Sequence, residues 1–122
     1  MKKITGRFIV MNSVVLVGRV GQDPEIKYFE SGKSKTTFSI AVDRWNPKTK
    51  AREADWFNIQ LWDKKAESAA EWIKKGSLIS IEGRIMVSKW QSPDGEMVER
   101  YLINATDYGF VGSKRDAQAS AV

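Results

Sequence analysis

The sequence of 122 residues contains no cysteine, no histidine and only three prolines. Without cysteine and histidine, the common zinc, haem, iron–sulfur and thiol-nucleophile sites lack their usual ligands and bases. Any catalysis would have to use carboxylates or lysines. A disulfide cannot form, so the composition gives no indication of an oxidising compartment.

Long hydrophobic runs are also missing. No stretch approaches the roughly 18 consecutive apolar residues of a membrane-spanning helix. The apolar run from Phe8 to Met11 follows Arg7 directly and is too short for the core of a signal peptide. We therefore expect a cytoplasmic protein without a membrane segment.

The residues that are present indicate one folded domain with a basic surface. Hydrophobic residues make up 42% and charged residues 29% of the chain, as in ordinary globular proteins. Lysine and arginine outnumber the acidic residues by 20 to 15. This balance favours a polyanionic partner, and the five tryptophans that accompany it need a separate explanation.

Most of the chain alternates apolar and polar residues, which predicts half-buried β-strands. Gly18 interrupts the first strand and predicts a bulge or bend. A basic loop is expected over residues 44–53, and a turn over residues 92–95. The first predicted strand covers residues 14–20 and continues in a short strand over residues 25–28. The second to fifth strands cover residues 36–42, 55–62, 77–89 and 98–106.

One helix is predicted, over residues 64–75. Its apolar face is formed by residues at helical spacing, namely Ala66, Ala69, Ala70 and Ile73. Asp63 is expected to cap the N-terminus. At the other end, Lys74 and Lys75 would complement the helix dipole before Gly76 ends the helix.

This element order predicts an all-β fold with one helix, namely a five-stranded OB-fold, a Greek-key barrel with the helix between strands 3 and 4. We expect an N-terminal extension over residues 1–11, the OB-fold domain over residues 12–108 and a short flexible tail over residues 109–122. The fold alone does not establish a function.

The third strand is predicted to place Phe57, Ile59 and Leu61 in the core. Alternation then places Trp56, Asn58, Gln60 and Trp62 on the opposite face. On the fourth strand, the isoleucines 79, 81 and 85 would point inward, and Arg84, Met86, Ser88 and Trp90 would share the outer side. Trp45 lies in the basic loop, among Arg44, Lys48, Lys50 and Arg52.

Exposed tryptophans beside basic residues are typical of surfaces that bind single-stranded nucleic acid. An indole can stack on any unpaired base, and the lysines and arginines neutralise phosphates. A different interpretation is that these tryptophans cover the end of the core or fill a subunit interface. Trp72 lies off the apolar face of the helix and fits either interpretation. Asp23 and Glu25, beside Pro24, are interpreted as structural rather than catalytic.

Four segments of the sequence resemble bacterial single-stranded DNA-binding proteins. They are NSVVLVGRVGQDPEIKY at residues 12–28, ADWFNIQLW at 54–62, WIKKGS at 72–77, and IEGRI at 81–85 followed by Trp90. The resemblance covers residues 12–107. It implies an OB-fold homotetramer that wraps single-stranded DNA without sequence specificity in replication, recombination and repair, associated with the nucleoid.

The resemblance also implies the residues of the site and predicts no enzymatic activity, cofactor or metal. Bases would stack on Trp45, Trp56, Trp62 and Trp90. The positions of the basic residues, rather than the resemblance, predict the phosphate contacts, namely Arg19, Lys33, Lys35, Arg44, Lys48, Lys50, Arg52, Arg84 and Lys89. The oligomer interface would include Asn12, Val14 and Phe57.

The sequence departs from the family in three places. Trp62 stands where relatives more often have phenylalanine, and Phe57 where many have a histidine near the subunit interface. The chain ends at Val122 without the acidic tip with which relatives recruit replication and repair proteins, so we expect no recruitment through such a tip and less competition for the DNA groove. A dimeric primosome-type module, a protein-interaction domain and RNA binding are the alternatives.

Overall fold

The computed structural model describes residues 10–112, which form six strands and one helix. The predicted positions 1–9 and 113–122 of the extension and tail lie outside the described residues. The elements are β1 (Val14–Val20), β2 (Glu25–Tyr28), β3 (Ser34–Asn46), β4 (Ala51–Trp62), α1 (Asp63–Trp72), β5 (Leu78–Gln91) and β6 (Met97–Phe110).

The strands form a closed barrel. Their order is β1-β5-β6-β4-β3-β2, and an additional pairing of β1 with β3 closes five of them into a ring while β2 lies at the outer edge of β3. In chain order the strands of the ring are β1, β3, β4, β5 and β6. The helix lies between β4 and β5, and therefore between the third and the fourth of them. The predicted all-β fold with one helix and an OB-type five-stranded barrel is therefore confirmed.

β1 closes the barrel by changing partners near its end. It pairs with β5 up to Arg19, while Arg19 and Val20 also pair with β3. A Cβ atom on Gly18 would lie 2.5 Å from the carbonyl oxygen of Ala41, so glycine permits the close approach of β3. The register irregularity lies between Glu82 and Gly83 on β5 rather than at Gly18.

The core consists of the inward-facing residues of the barrel and one face of α1. The described buried apolar residues are Val20, Phe38, Ile40, Ile59, Leu61, Ala66, Ala69, Ile73, Ile79, Ile81, Ile103 and Ala105. The alanines let α1 lie close to the barrel. Thr36 bridges the two layers because its hydroxyl donates a hydrogen bond to the carbonyl oxygen of Ala66 at 2.6 Å.

The predicted ends of the helix are wrong. Asp63 is the first helical residue and has a positive φ of 54°. Its carboxylate accepts a hydrogen bond from the backbone N–H of Ser34 and makes no cap. The helix ends at Trp72, so Lys74 and Lys75 lie beyond it. The chain turns away there because the N–H groups of Lys75 and Gly76 bond to the Asp23 carboxylate and the Val20 carbonyl, at 2.8 and 2.7 Å.

Two hairpins extend further than predicted. Most of the expected loop over residues 44–53 is strand, since β3 and β4 pair out to Asn46 and Ala51. β6 continues to Phe110 by pairing with β5, beyond the predicted end of this strand at residue 106. Both extensions depend on a partner strand, which alternation within one segment does not reveal.

The outer half of the β5–β6 hairpin projects beyond the barrel. Ile79 and Ile81 are buried, as predicted, but Ile85 and Val87 are 44% and 48% exposed. They continue the inward alternation of β5, but no opposite wall covers them. The prediction that Ile85 belongs to the core of the protomer is therefore wrong.

Candidate nucleic-acid interface

The outer face of the β3–β4 hairpin carries three of the four predicted stacking residues. Trp45 and Trp56 are 63% and 61% exposed. Trp62, at the end of β4, is half-buried. The pairings Trp45↔Arg52, Ala41↔Trp56 and Lys35↔Trp62 place the indoles along one side of the sheet. Trp56 and Trp62 are six residues apart on one strand, so their Cα atoms span roughly 20 Å at 3.3 Å per residue.

The fourth predicted stacking residue lies on the β5–β6 hairpin. Trp90 is 41% exposed and pairs with Val98. The guanidinium carbon of Arg100 lies 5.8 Å from the centroid of the indole, in a cation–π contact. The ring is thus held beside a permanent positive charge.

A polar groove of about 510 Å³ runs between these two hairpins. It is possible because β4 and β6 pair only at Ile59↔Ile103 and Gln60↔Asn104 and then diverge. Lys35 and Arg100 supply its positive charge. The lining also includes Gln22, Thr37, Phe38, Asn58, Ile59, Gln60 and Leu102.

The two predicted outward-facing amides differ in exposure. Asn58 is exposed, whereas Gln60 is only 9% exposed. The Gln60 amide donates hydrogen bonds to Asn104 Oδ1 at 3.3 Å and Met86 Sδ at 3.7 Å. Gln60 therefore forms the floor of the groove and joins three strands there.

The β3–β4 hairpin carries more compensated charge than a basic loop would. Arg44 forms ion pairs with Glu53 and Asp55 at 2.9 and 3.0 Å. Its hydrogen bond to Asp55, with the negative charges of both carboxylates, raises the pKa of Arg44. Arg52 lies 3.9 Å from Asp43. A phosphate would have to compete with these carboxylates for either arginine.

The other predicted phosphate contacts differ in whether a carboxylate competes for the charge. Within residues 10–112, Lys33, Lys48, Lys50 and Arg84 are exposed and form no ion pair. Lys89, by contrast, lies 3.5 Å from Glu99. Arg19 donates a hydrogen bond to the carbonyl oxygen of Gly76 at 3.2 Å. It pairs with Ala41 of β3, which in turn pairs with Trp56 of β4, so Arg19 lies two strands from that tryptophan.

The predicted interface residues surround a second, apolar groove of about 370 Å³. It contains Val14 and Phe57, together with Trp56, Asn58, Ile85, Tyr101, Leu102 and Ile103. Asn12 lies at its edge. The Asn12 amide exchanges hydrogen bonds with both backbone groups of Ile85, at 2.8 and 3.0 Å, and so holds the start of the described chain against β5.

Sequence reasoning missed Arg100, Gln22, Thr37 and Phe29. The first three line the polar groove, and Arg100 also contacts the ring of Trp90. Phe29 stacks on Trp62. Arg100 could have been found by parity, because it shares the outer face of β6 with Asn104. Finding Phe29 required the tertiary contact between the turn after β2 and the end of β4.

Gly21 leaves room for the Trp56 ring. A Cβ atom there would collide with Cζ3 of the indole and lie 2.8 Å from Cη2. We expect Gly21→Ala to displace the ring and weaken binding to a dT oligomer by about 1 kcal/mol, the lower end of the value of one stacked base. The same substitution in a Trp56→Ala background should have no further effect. Unchanged affinity of a folded Gly21→Ala variant would contradict this role.

Among the described residues, no cluster of three or more acidic, histidine or cysteine side chains could hold a metal ion.

The ion pair of Lys65 with Asp107, at 2.9 Å, joins α1 to β6. The hydrogen bond between them raises the pKa of Lys65 and lowers that of Asp107. The part of the chain that the structure describes contains no helix long and apolar enough to cross a membrane.

The fold and the site define a small closed β-barrel with an open, cationic and tryptophan-rich face. The model of the single-strand binding protein family matches residues 11–111. The chain therefore belongs to this family.

Curated relatives agree with this assignment. Single-stranded DNA-binding protein 1 of a Synechocystis strain is 43% identical over 107 residues, covering 87% of this chain and 88% of the relative. The single-stranded DNA-binding protein of Thermosynechococcus vestitus is 40% identical over 92% of both chains. The protein of that name from Neisseria meningitidis is 36% identical over 91% of this chain and 66% of its own length.

Proposed function

We propose that this protein binds and protects single-stranded DNA without sequence specificity during replication, recombination and repair. The observation that carries the proposal is the set of indoles distributed along one open, cationic face. Binding of this kind requires no catalytic step. It would associate the protein with exposed single strands of the nucleoid in the cytoplasm.

In this proposal, bases stack on Trp45, Trp56, Trp62 and Trp90. Each base offers a flat π face, so a row of indoles accepts any sequence, with about 1 to 3 kcal/mol for each stacked base. In a duplex the same faces are covered by neighbouring base pairs. The arrangement therefore selects unpaired strands.

The phosphates would follow the cations between the indoles. Four cations can bind a phosphate without breaking an ion pair within the described chain, namely Lys33, Lys48, Lys50 and Arg84. Arg44, Arg52 and Lys89 must exchange a carboxylate for a phosphate, so their net contribution is smaller. Lys35 and Arg100 would act inside the polar groove.

We also propose a homotetramer in which the apolar groove around Phe57 forms one contact between copies. Ile85 is 44% and Tyr101 62% exposed, which is unusual for large side chains that share one groove. A second copy would cover them. The Asn12 hydrogen bonds would keep the rim of the groove in place.

A titration with dT oligomers of increasing length, followed by tryptophan fluorescence and light scattering, tests both parts. We expect strong quenching, a tetramer mass and an affinity that falls with salt, with a logarithmic slope of roughly −0.7 for each phosphate neutralised. Lys48→Gln with Lys50→Gln should reduce the magnitude of that slope, whereas Lys64→Gln on α1 serves as the matched control.

Absent quenching or salt-independent binding would contradict the proposal. A dimer mass would favour a primosome-type module. Tighter binding of poly(U) than poly(dT) would make RNA the ligand, because stacking does not require deoxyribose.

A further inference from the structure

Phe29 and Trp62 form an aromatic pair at one end of the row of tryptophans on the β3–β4 hairpin, which consists of Trp45, Trp56 and Trp62. Their ring centroids are 5.9 Å apart and the ring planes differ by 27°, which is a stacked arrangement. Phe29 directly follows β2. Its N–H donates to the carbonyl oxygen of Lys33 at 2.9 Å, and its carbonyl oxygen accepts from Gly32 N–H at 3.0 Å. The backbone turn thus fixes where Phe29 meets Trp62.

Two lysines surround this pair. Lys35 Nζ lies 5.8 Å from the centroid of Phe29 and 5.7 Å from that of Trp62, so one ammonium group contacts both rings. Lys27 Nζ lies 5.3 Å from the Phe29 centroid. Within residues 10–112, neither lysine forms an ion pair. Both positive charges are therefore available to an anion.

The pair is not part of the buried core. Phe29 and Trp62 are both half-buried and lie outside the cluster of core residues. Lys35 also lines the polar groove, so the pair is continuous with the surface proposed to carry DNA. A ring that only covered the end of the barrel would not need two uncompensated ammonium groups beside it.

We propose that Phe29 and Trp62 together form a terminal stacking subsite for one base, with Lys35 and Lys27 binding its phosphates. This inference rests on the proposed function and adds Phe29 and Lys27 to the binding residues. Phe29 restricts the rotation of Trp62, so less side-chain freedom is lost when a base stacks. The arriving base replaces the Lys35 ammonium on the rings, and the arriving phosphate gives that ammonium an ion pair.

A double-mutant cycle on dT-oligomer affinity tests the pair. We expect Phe29→Leu to lower affinity roughly tenfold, within the range for one stacked base. In a Trp62→Leu background it should have almost no further effect. Combined with Trp90→Leu, its effect should multiply, because the two sites share no contact. Phe29→Tyr should retain binding, since tyrosine keeps the ring.

Tyr28→Leu is the matched control. Tyr28 is 66% exposed and adjacent, but alternation in β2 directs it to the other side of the strand from Lys27. It should leave affinity unchanged. Lys27→Gln tests the subsite without removing a ring, and should weaken binding and reduce the salt dependence by about 0.7 in logarithmic slope.

An equal loss for Phe29→Leu with and without Trp62, or unchanged affinity in both Phe29→Leu and Lys27→Gln, would overturn the subsite. The parent protein and Trp56→Ala are measured on the same oligomer. If Trp56→Ala weakens binding while Phe29→Leu does not, the proposed function stands and this inference fails. If the parent itself does not bind, the proposed function fails.

Discussion

Replacing both Trp56 and Trp90 with alanine is expected to weaken binding to a long dT oligomer by about 1 to 3 kcal/mol for each ring. Trp56 is on β4 and Trp90 on β5, and the two lie on hairpins that diverge on either side of the polar groove. They would therefore stack on different bases, and their effects should add. The measurement is a fluorescence-anisotropy titration with a labelled oligomer.

Trp72→Ala is the control for the loss of an exposed indole. Trp72 is 62% exposed but is the last residue of α1 rather than part of the hairpin faces. We expect its removal to have much less effect on DNA affinity. Equal losses for the three tryptophans would point to a general change in the fold. Full affinity of the folded double variant Trp56→Ala, Trp90→Ala would rule out base stacking on these two tryptophans.

Ile85→Asp is expected to weaken the free energy of association of the proposed tetramer by roughly 2 to 4 kcal/mol, the effect of removing a central interface residue. In the proposed tetramer, the second copy covers the groove that contains Ile85 and Phe57. A carboxylate buried there would have no partner. Both Asn12 hydrogen bonds to residue 85 use its backbone, so the protomer should keep its fold. Light scattering across a concentration series measures the mass.

Met97→Asp introduces the same charge at another apolar residue. Met97 is 67% exposed at the start of β6 and does not line the groove. Its variant should keep the mass of the parent, while Ile85→Asp should give smaller species that bind long oligomers less tightly than the parent does. A parent mass for Ile85→Asp at every concentration would exclude this groove as the contact.

The β3–β4 hairpin is less basic than its lysines and arginines predict, because carboxylates pair with Arg44 and Arg52. The positive residues are evident in the sequence, but Glu53 and Asp55 reach Arg44 only because the two strands pair across the hairpin. The accessible charge is instead at the turn, on Lys48 and Lys50. Local composition therefore does not reveal that Arg44 and Arg52 have carboxylate partners. Contacts of Lys48 and Lys50 with phosphates stay a prediction.

Period-two alternation predicted the strands of the barrel and the outward direction of Trp56 and Trp90, and the helical spacing of apolar residues predicted the position of the helix. Alternation is a property of each strand, and apolar burial forces it whatever the neighbouring strands are. Alternation directed Phe57 inward, whereas the family resemblance predicted Val14 and Phe57 at an oligomer interface; both line the apolar groove. These features depend on residue order within one segment.

The features that alternation missed depend on contacts between distant segments. Ile85 continues the inward pattern but is exposed because the hairpin extends beyond the opposite wall. Asp63 has the composition of a helix cap, yet its backbone angle and the N–H of Ser34 assign it another role. The Phe29–Trp62 pair joins residues 33 positions apart. Exposure, strand length and side-chain pairing are set by which surfaces meet, and the chain must fold before those surfaces exist.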